Sequence, residues 1–244
     1  MNTVKKIGQP LWTRNDLINK LEEFSQLYDK RPIKGNPYGM LSPHMFLIWF
    51  MLQYLKPKYV IESGVYQGVG TWFFEQAVPN AQIFSIDIDL DSRKYISDNV
   101  IYCNKDFTLI DWGKYKIIKE ETLCFFDDHQ NAFKRTQFAK NNGFKALVFE
   151  DNYPLNKGNC HSLKQSFYDN NEKDWLYNNL KTYHEMPPVF MSSNHRKFNR
   201  WDKDCKWNYP TPKPLYKSVQ YDYLQIYYKE LLNYTWMCFV ELKD

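Results

Sequence analysis

The sequence predicts an α/β fold of the Rossmann-like, doubly wound kind: a mostly parallel sheet with helices on both faces, an N-terminal helical extension and an irregular C-terminal lid. Three observations carry this. Between residues 57 and 160, short β-rich runs alternate with amphipathic segments, the pattern of βαβ units. Residues 1–56 hold helical patterns and no strand pattern. Much of 161–244 is proline- and aromatic-rich with little periodicity, and irregular stretches on that scale are usually functional or disordered. No repeat or long linker divides the chain, so residues 1–244 read as one domain.

Each element follows from its local pattern. From Asn15 to Tyr28, Leu17, Ile18, Leu21, Phe24 and Leu27 recur at helical spacing. Ser42-Pro43 is a helix start, with proline suited to the first turn. The helix it opens, Pro43 to Leu55, is apolar nearly all round and therefore buried. Strands are expected at Tyr59–Glu62, Gln82–Ile86, Val100–Cys103, Thr122–Phe126 and Ala146–Phe149, with helices at Thr71–Ala77, Asp91–Asp98 and Asn131–Asn142. Glu172 to Tyr183 reads as helical and Thr235 to Leu242 as a closing strand. Pro187 to Tyr216 carries Trp201, Trp207, Tyr209 and Tyr216 among prolines and polar residues. It suggests either a stacking lid or a satellite core under a long loop.

Composition excludes several classes. Hydrophobic residues at 43% and charged residues at 25% are globular values, not those of a disordered or fibrous chain. Lysine and arginine number 32 against 28 aspartate and glutamate, and no basic stripe marks a nucleic-acid partner. The five cysteines form no C-x-x-C pair, so they read as reduced thiols of a cytoplasmic protein. Met1 to Trp12 lacks the apolar region of a secretion signal. The longest apolar run, Met45 to Leu52, falls far short of the roughly 20 residues of a membrane span. Oligomeric state is not legible.

Two constellations carry chemistry. The first is E-S-G-V-Y-Q-G-V-G-T, Glu62 to Thr71, between a strand and a helix. Gly64, Gly68 and Gly70 allow a sharp turn and close approach of a ligand. The next strand ends in Asp87-Ile88-Asp89, where a ribose-binding carboxylate belongs. Neither G-K-[ST] nor G-x-G-x-x-G is present. Glu62 beside the loop disfavours a pyrophosphate and suits a cationic ligand such as S-adenosylmethionine. The second constellation is F-F-D-D-H-Q after the fourth strand and V-F-E-D-N-Y-P after the fifth. Acids at neighbouring strand tips repel unless a cation joins them, and oxygen ligands suit Mg²⁺ or Mn²⁺.

These residues resemble the class I S-adenosylmethionine-dependent methyltransferases. The likeness is strongest to the metal-dependent O-methyltransferases of the catechol O-methyltransferase type and to the cephalosporin-hydroxylase-like group with its rhamnosyl O-methyltransferases. It spans Lys56 to Asn159. The resemblance implies that Glu62, Gly64, Tyr66, Gly68 and Gly70 form the cofactor loop, that Asp87 binds the ribose and that Asp106 meets the adenine. It places Asp128, Asp151 and Asn152 on the metal, with Glu150 brought in by the rhamnosyl-type pattern. Asn131 stands where the catechol enzyme has its lysine base, leaving His129 or His161 as the base. The implied reaction is O-methylation of a sugar hydroxyl or other diol in a small-molecule or glycan acceptor, with Asp128 and His129 catalytic. Two other readings stay open: a nucleotide-sugar glycosyltransferase using Asp87-Ile88-Asp89, and a non-catalytic binding module on the same fold.

Overall fold

The computed structural model describes residues 7–193, 196, 209–234 and 236–244. Helices α1 (Arg14–Ile18), α2 (Leu21–Tyr28) and α3 (Ser42–Leu55) precede strand β1 (Tyr59–Ser63). Then follow α4 (Val69–Ala77), β2 (Gln82–Ile86), β3 (Val100–Cys103), β4 (Thr122–Phe126), α5 (Ala132–Asn141) and β5 (Ala146–Phe149). The chain continues through α6 (Leu163–Ser166), α7 (Asn170–Asn179), β6 (Leu180–Glu185), α8 (Gln225–Lys229) and β7 (Cys238–Leu242). The seven strands lie in the order β3-β2-β1-β4-β5-β7-β6. Strands β1 to β5 pair in parallel, whereas β7 runs antiparallel to both β5 and β6. This is the mostly parallel, doubly wound sheet that the sequence predicts.

Strand side chains alternate between faces, and the buried residues divide accordingly. Val60, Ile83, Leu123, Phe125 and Val148 pack with α2, α3, α4 and Tyr227 of α8 on one face. Ile61, Phe84, Cys124, Phe126 and Leu147 pack with residues of α5, α6 and α7 on the other. Helix α3 is buried from Ser42 to Leu52, as its uniform hydrophobicity requires. The order reverses between β1 and β4, so the crevice at their carboxyl ends is the expected ligand position. No helix among the described residues is long and apolar enough to cross a membrane.

Local competition explains where elements depart from expectation. The first helical pattern breaks into α1 and α2, with Thr13 and Asp16 forming a capping box on α1. No helix forms at Asp91–Asp98. Instead, Asp89 accepts bonds from the Asp91 N–H and the Ser92 hydroxyl, while Lys94 and Tyr95 N–H groups donate to the Gln67 carbonyl. Side-chain bonds of this kind draw the backbone away from helix. The segment read as one helix to Tyr183 is α7 followed directly by β6, which covers the outer side of β7. The aromatic segment is core where it is described. Tyr209 packs on Phe167 and Tyr183, and Tyr216 joins the α3-side core. Trp201 and Trp207 lie outside the described residues.

Candidate active site

A cleft of about 390 Å³ opens at the carboxyl ends of β1, β2 and β4. Its floor is the turn from β1 into α4. Gly64 has φ +98°, and a Cβ there would collide with the Asp127 carbonyl, so only glycine lets this turn touch the end of β4. Gly68, φ +84°, caps α4, and a Cβ there would meet the Tyr95 carbonyl at 2.8 Å. Asp87 holds the turn: its carboxylate accepts from the Val65 N–H at 2.8 Å and the Tyr66 N–H at 3.3 Å. Tyr66, φ +47°, is partly exposed on the cleft wall.

A chain of polar contacts ties the strand ends together. Asp128 accepts from the Ser63 hydroxyl at 2.7 Å and from Arg135 Nε at 3.0 Å. Arg135, on α5 and almost fully buried, also donates to Asp106 through Nη1 at 2.9 Å. The guanidinium, with the Thr108 bonds outweighing partial burial, holds the Asp106 carboxyl well below the usual carboxylate range. Asp106 further accepts from the Thr108 N–H and hydroxyl.

Beside this chain, Asp127, His129 and Asp151 bring one ligand atom each to within 4.8 Å of one another. His129 Nδ1 lies 2.8 Å from Asp151 Oδ2. That partnership outweighs desolvation and lifts the imidazole to about 9. Burial works to raise Asp151, but hydrogen bonds from His129, Glu150 and Tyr153 hold it down to about 2. For Asp127 burial, then the charges of Glu150 and Asp151, outweigh the opposing charge of His129 and push its carboxyl well above the usual range. Two carboxylates and an imidazole in a pocket of excess negative charge suit a divalent cation. The donor set therefore fits such an ion.

No family model matches the chain, and no curated protein does. Structures similar to it include the apo structure of CmcI-N160, 18% identical, covering 62% of this chain and 69% of that one with a TM-score of 0.45. The SAH-bound methyltransferase PaMTH1 of Podospora anserina is 12% identical over 94% of this chain and 88% of that one, TM-score 0.44. An O-methyltransferase of Bacillus cereus in complex with SAH is 15% identical over 55% and 66%, TM-score 0.39. Likenesses at this level assign no activity, and the chemistry of the site has to be read from its own residues.

The structure distributes the expected site residues unevenly. Gly64, Tyr66 and Asp87 line the cleft, as do Asp106, Asp128 and His129. Glu62 does not line it; its buried carboxyl lies behind Gly70 and accepts from the Thr71 and Ser85 hydroxyls, each at 2.5 Å. Asp128 was the expected partner of Asp151, yet Arg135 and Ser63 engage it, and Asp127 converges with Asp151 instead. The F-F-D-D-H run offers two adjacent aspartates, and only the backbone at the end of β4 decides between them. Glu150 pairs with the buried His44, whose imidazole burial pushes down to about 4. Asn152 accepts from the Lys164 N–H and donates to the Tyr183 hydroxyl, so its amide holds β5 to its neighbours. Asn131 is the N-cap of α5. His161 contacts Glu172 and Ser166, and Asp89 is turned into its own loop. Sequence reasoning missed Asp127, Arg135 and Tyr38; the N-P-Y-G turn at Tyr38 was the available signal.

Proposed function

We propose that this chain is an S-adenosylmethionine-dependent O-methyltransferase acting on a hydroxyl of a sugar or other diol, with a divalent cation held by Asp127, His129 and Asp151. The observation that carries the reading is that Asp127 and His129, which converge with the adjoining Asp151, line one cleft with the glycine turn and Asp87. Asp87, at the end of β2, is the residue for the ribose hydroxyls. The aspartate-rich wall suits the positive charge of a sulfonium cofactor. When bound, the cation would orient the acceptor hydroxyl and lower its pKa.

The protein's own task is alignment, because methyl transfer needs oxygen, methyl carbon and sulfur in line. The Ser63–Asp128–Arg135–Asp106 chain fixes the ends of β1, β4 and β3 relative to one another, which supports that task. His129 Nδ1 faces Asp151 and the cation position, so the imidazole would serve as a cation ligand there, and as the group for the acceptor proton only in a site without the ion. Counted from Asp127, the position of the catechol enzyme's lysine falls on Gln130, which is no base.

Isothermal titration with S-adenosylmethionine and with a UDP-sugar, each with Mg²⁺, tests the reading. Binding of the first alone supports it. Binding of the UDP-sugar alone favours a glycosyltransferase, and binding of neither favours a non-catalytic module. EDTA should abolish methyl transfer and Mg²⁺ or Mn²⁺ should restore it.

A further inference from the structure

The donor groups beside the cleft stand at the spacing of neighbours on a single ion. Adjacent ligands of an octahedral cation at roughly 2.1 Å are about 3 Å apart. His129 Nδ1 lies 2.8 Å from Asp151 Oδ2 and 3.3 Å from Asn159 Oδ1. Asp127 brings a carboxylate oxygen to within 4.8 Å of the His129 and Asp151 ligand atoms. Asp151 is 8% exposed, and apart from that imidazole its buried Oδ2 has no hydrogen-bond partner among the described residues. A buried carboxylate oxygen so placed is costly unless a cation meets it.

The backbone is set to hold the imidazole there. His129 has φ +52°, a left-handed conformation uncommon outside glycine, though histidine, asparagine and aspartate adopt it more than other residues. The Gln130 N–H donates to Asp128 Oδ1 at 3.2 Å and fixes the turn. The His129 side chain is 50% exposed, so burial of the ring does not account for the conformation. Backbone strain of this kind persists at ligand clamps. Asn159 enters from the loop after β5. The amide expected at the cation, Asn152, is engaged by Lys164 and Tyr183, whereas the Asn159 oxygen reaches the imidazole.

One nitrogen among these donors separates the metals. Mg²⁺ takes oxygen ligands and keeps several waters. Imidazole suits iron, nickel and zinc, and affinity for a nitrogen-containing site rises along the first transition row. We propose that this site selects a late first-row transition cation over Mg²⁺, with His129 Nδ1 as its nitrogen ligand and oxygens from Asp127, Asp151 and Asn159 beside it. This rests on the cation half of the reading above and not on the cofactor half.

The test loads the full chain with Mn²⁺, follows the bound ion by electron paramagnetic resonance, and displaces it with Co²⁺ or with Mg²⁺. Pulsed resonance of the bound Mn²⁺ should show coupling to an imidazole nitrogen. Co²⁺ should displace Mn²⁺ at concentrations at least roughly tenfold below those that Mg²⁺ requires. His129→Asn offers an oxygen in place of the nitrogen, adds no charge and tolerates the left-handed backbone. It should lose the nitrogen coupling and narrow the preference for Co²⁺ over Mg²⁺ roughly tenfold. Asn159→Ala should weaken Mn²⁺ binding roughly tenfold and keep the nitrogen coupling. Bound Mn²⁺ without nitrogen coupling overturns the proposal, as does an unchanged preference in His129→Asn. Unchanged Mn²⁺ affinity in Asn159→Ala overturns the place of that residue among the ligands. S-adenosylhomocysteine, titrated in parallel, separates this inference from the methyltransferase reading. If it binds and no cation does, the inference falls and the cofactor reading stands. If nitrogen-coupled Mn²⁺ binds and S-adenosylhomocysteine does not, the inference stands and the methyltransferase reading falls.

Discussion

Asp127→Asn and Asp128→Asn alter neighbouring carboxylates and should act on different properties. Asp127 is pushed well above the usual carboxylate range by burial and by Glu150 and Asp151. Without a cation, burial thus favours its neutral form, which asparagine copies. The metal-free Asp127→Asn protein should melt within about 2 °C of the wild type, less than 1 kcal/mol at this chain length. Its Mn²⁺ affinity should fall by more than the roughly 10–100-fold that loss of a supporting partner costs a metal site. Asp128 is the reverse case. Its carboxylate, 14% exposed, receives the Arg135 guanidinium at 2.9 Å and the Ser63 hydroxyl at 2.7 Å. Hydrogen bonds to charged groups contribute about 1.5–3 kcal/mol. Asparagine keeps one acceptor and Arg135 keeps Asp106, which sets the loss at about 2 kcal/mol. For a chain of this size that is a fall of about 4–8 °C in the thermal midpoint. Thermal melts without metal and Mn²⁺ titration followed by electron paramagnetic resonance measure both quantities. A loss of Mn²⁺ affinity in Asp128→Asn equal to or greater than that in Asp127→Asn would refute the assignment of Asp127.

Other consequences can be checked alongside. Burial raises Glu62 to about 8 despite its bonds from Ser85 and Thr71. The unfolded chain therefore ionises first, and this group's contribution, complete below about pH 4.5, is lost as pH rises toward 8. Glu62→Gln should remove that decline, so the variant should melt higher than the wild type at pH 8 and match it at pH 5. Asp87→Ala removes both the expected ribose acceptor and the bonds to Val65 and Tyr66. S-adenosylhomocysteine affinity, measured by titration, should fall at least tenfold, since each charge-assisted bond is worth roughly 1.5–3 kcal/mol. The Lys164–Glu185 pair, 3.1 Å apart with both side chains 1% exposed, should be the most fragile to break. Lys164→Met removes the ammonium beside a buried carboxylate, a loss of about 3–5 kcal/mol, and should appear as the largest fall in melting temperature of the set.

Local pattern was enough for the five parallel strands. Each of the five parallel strands is bounded by turn residues and is mostly apolar, as strands covered on both faces are, and among the buried polar exceptions Glu62 and Ser85 bond to each other. The same physics made α3 legible as buried and the glycines legible as a sharp turn, since Gly64 and Gly68 adopt φ values that other residues rarely take. The acids at the ends of β4 and β5 could be placed at one sheet edge from parallel topology alone. Which of them meet could not. Asp127 and Asp128 are equivalent in sequence, and only the exit of the chain from β4, held by the Asp127 N–H bond to the Ser63 carbonyl at 2.8 Å, turns one toward Asp151 and the other toward Arg135. Arg135 was illegible for the same reason, whereas Tyr38 had its N-P-Y-G turn as a signal but no sign of the cleft it lines. A buried guanidinium on a helix acquires meaning only from a partner 29 residues away in sequence, and a tyrosine in a turn only from a cleft assembled by five separate segments. The 91–98 segment and β6 were misread where tertiary bonds, to the Gln67 carbonyl and to β7, outweighed helix propensity. Short-range sterics and burial are written into the sequence residue by residue, whereas the direction of a charged side chain is decided by whichever opposite charge the fold brings nearest.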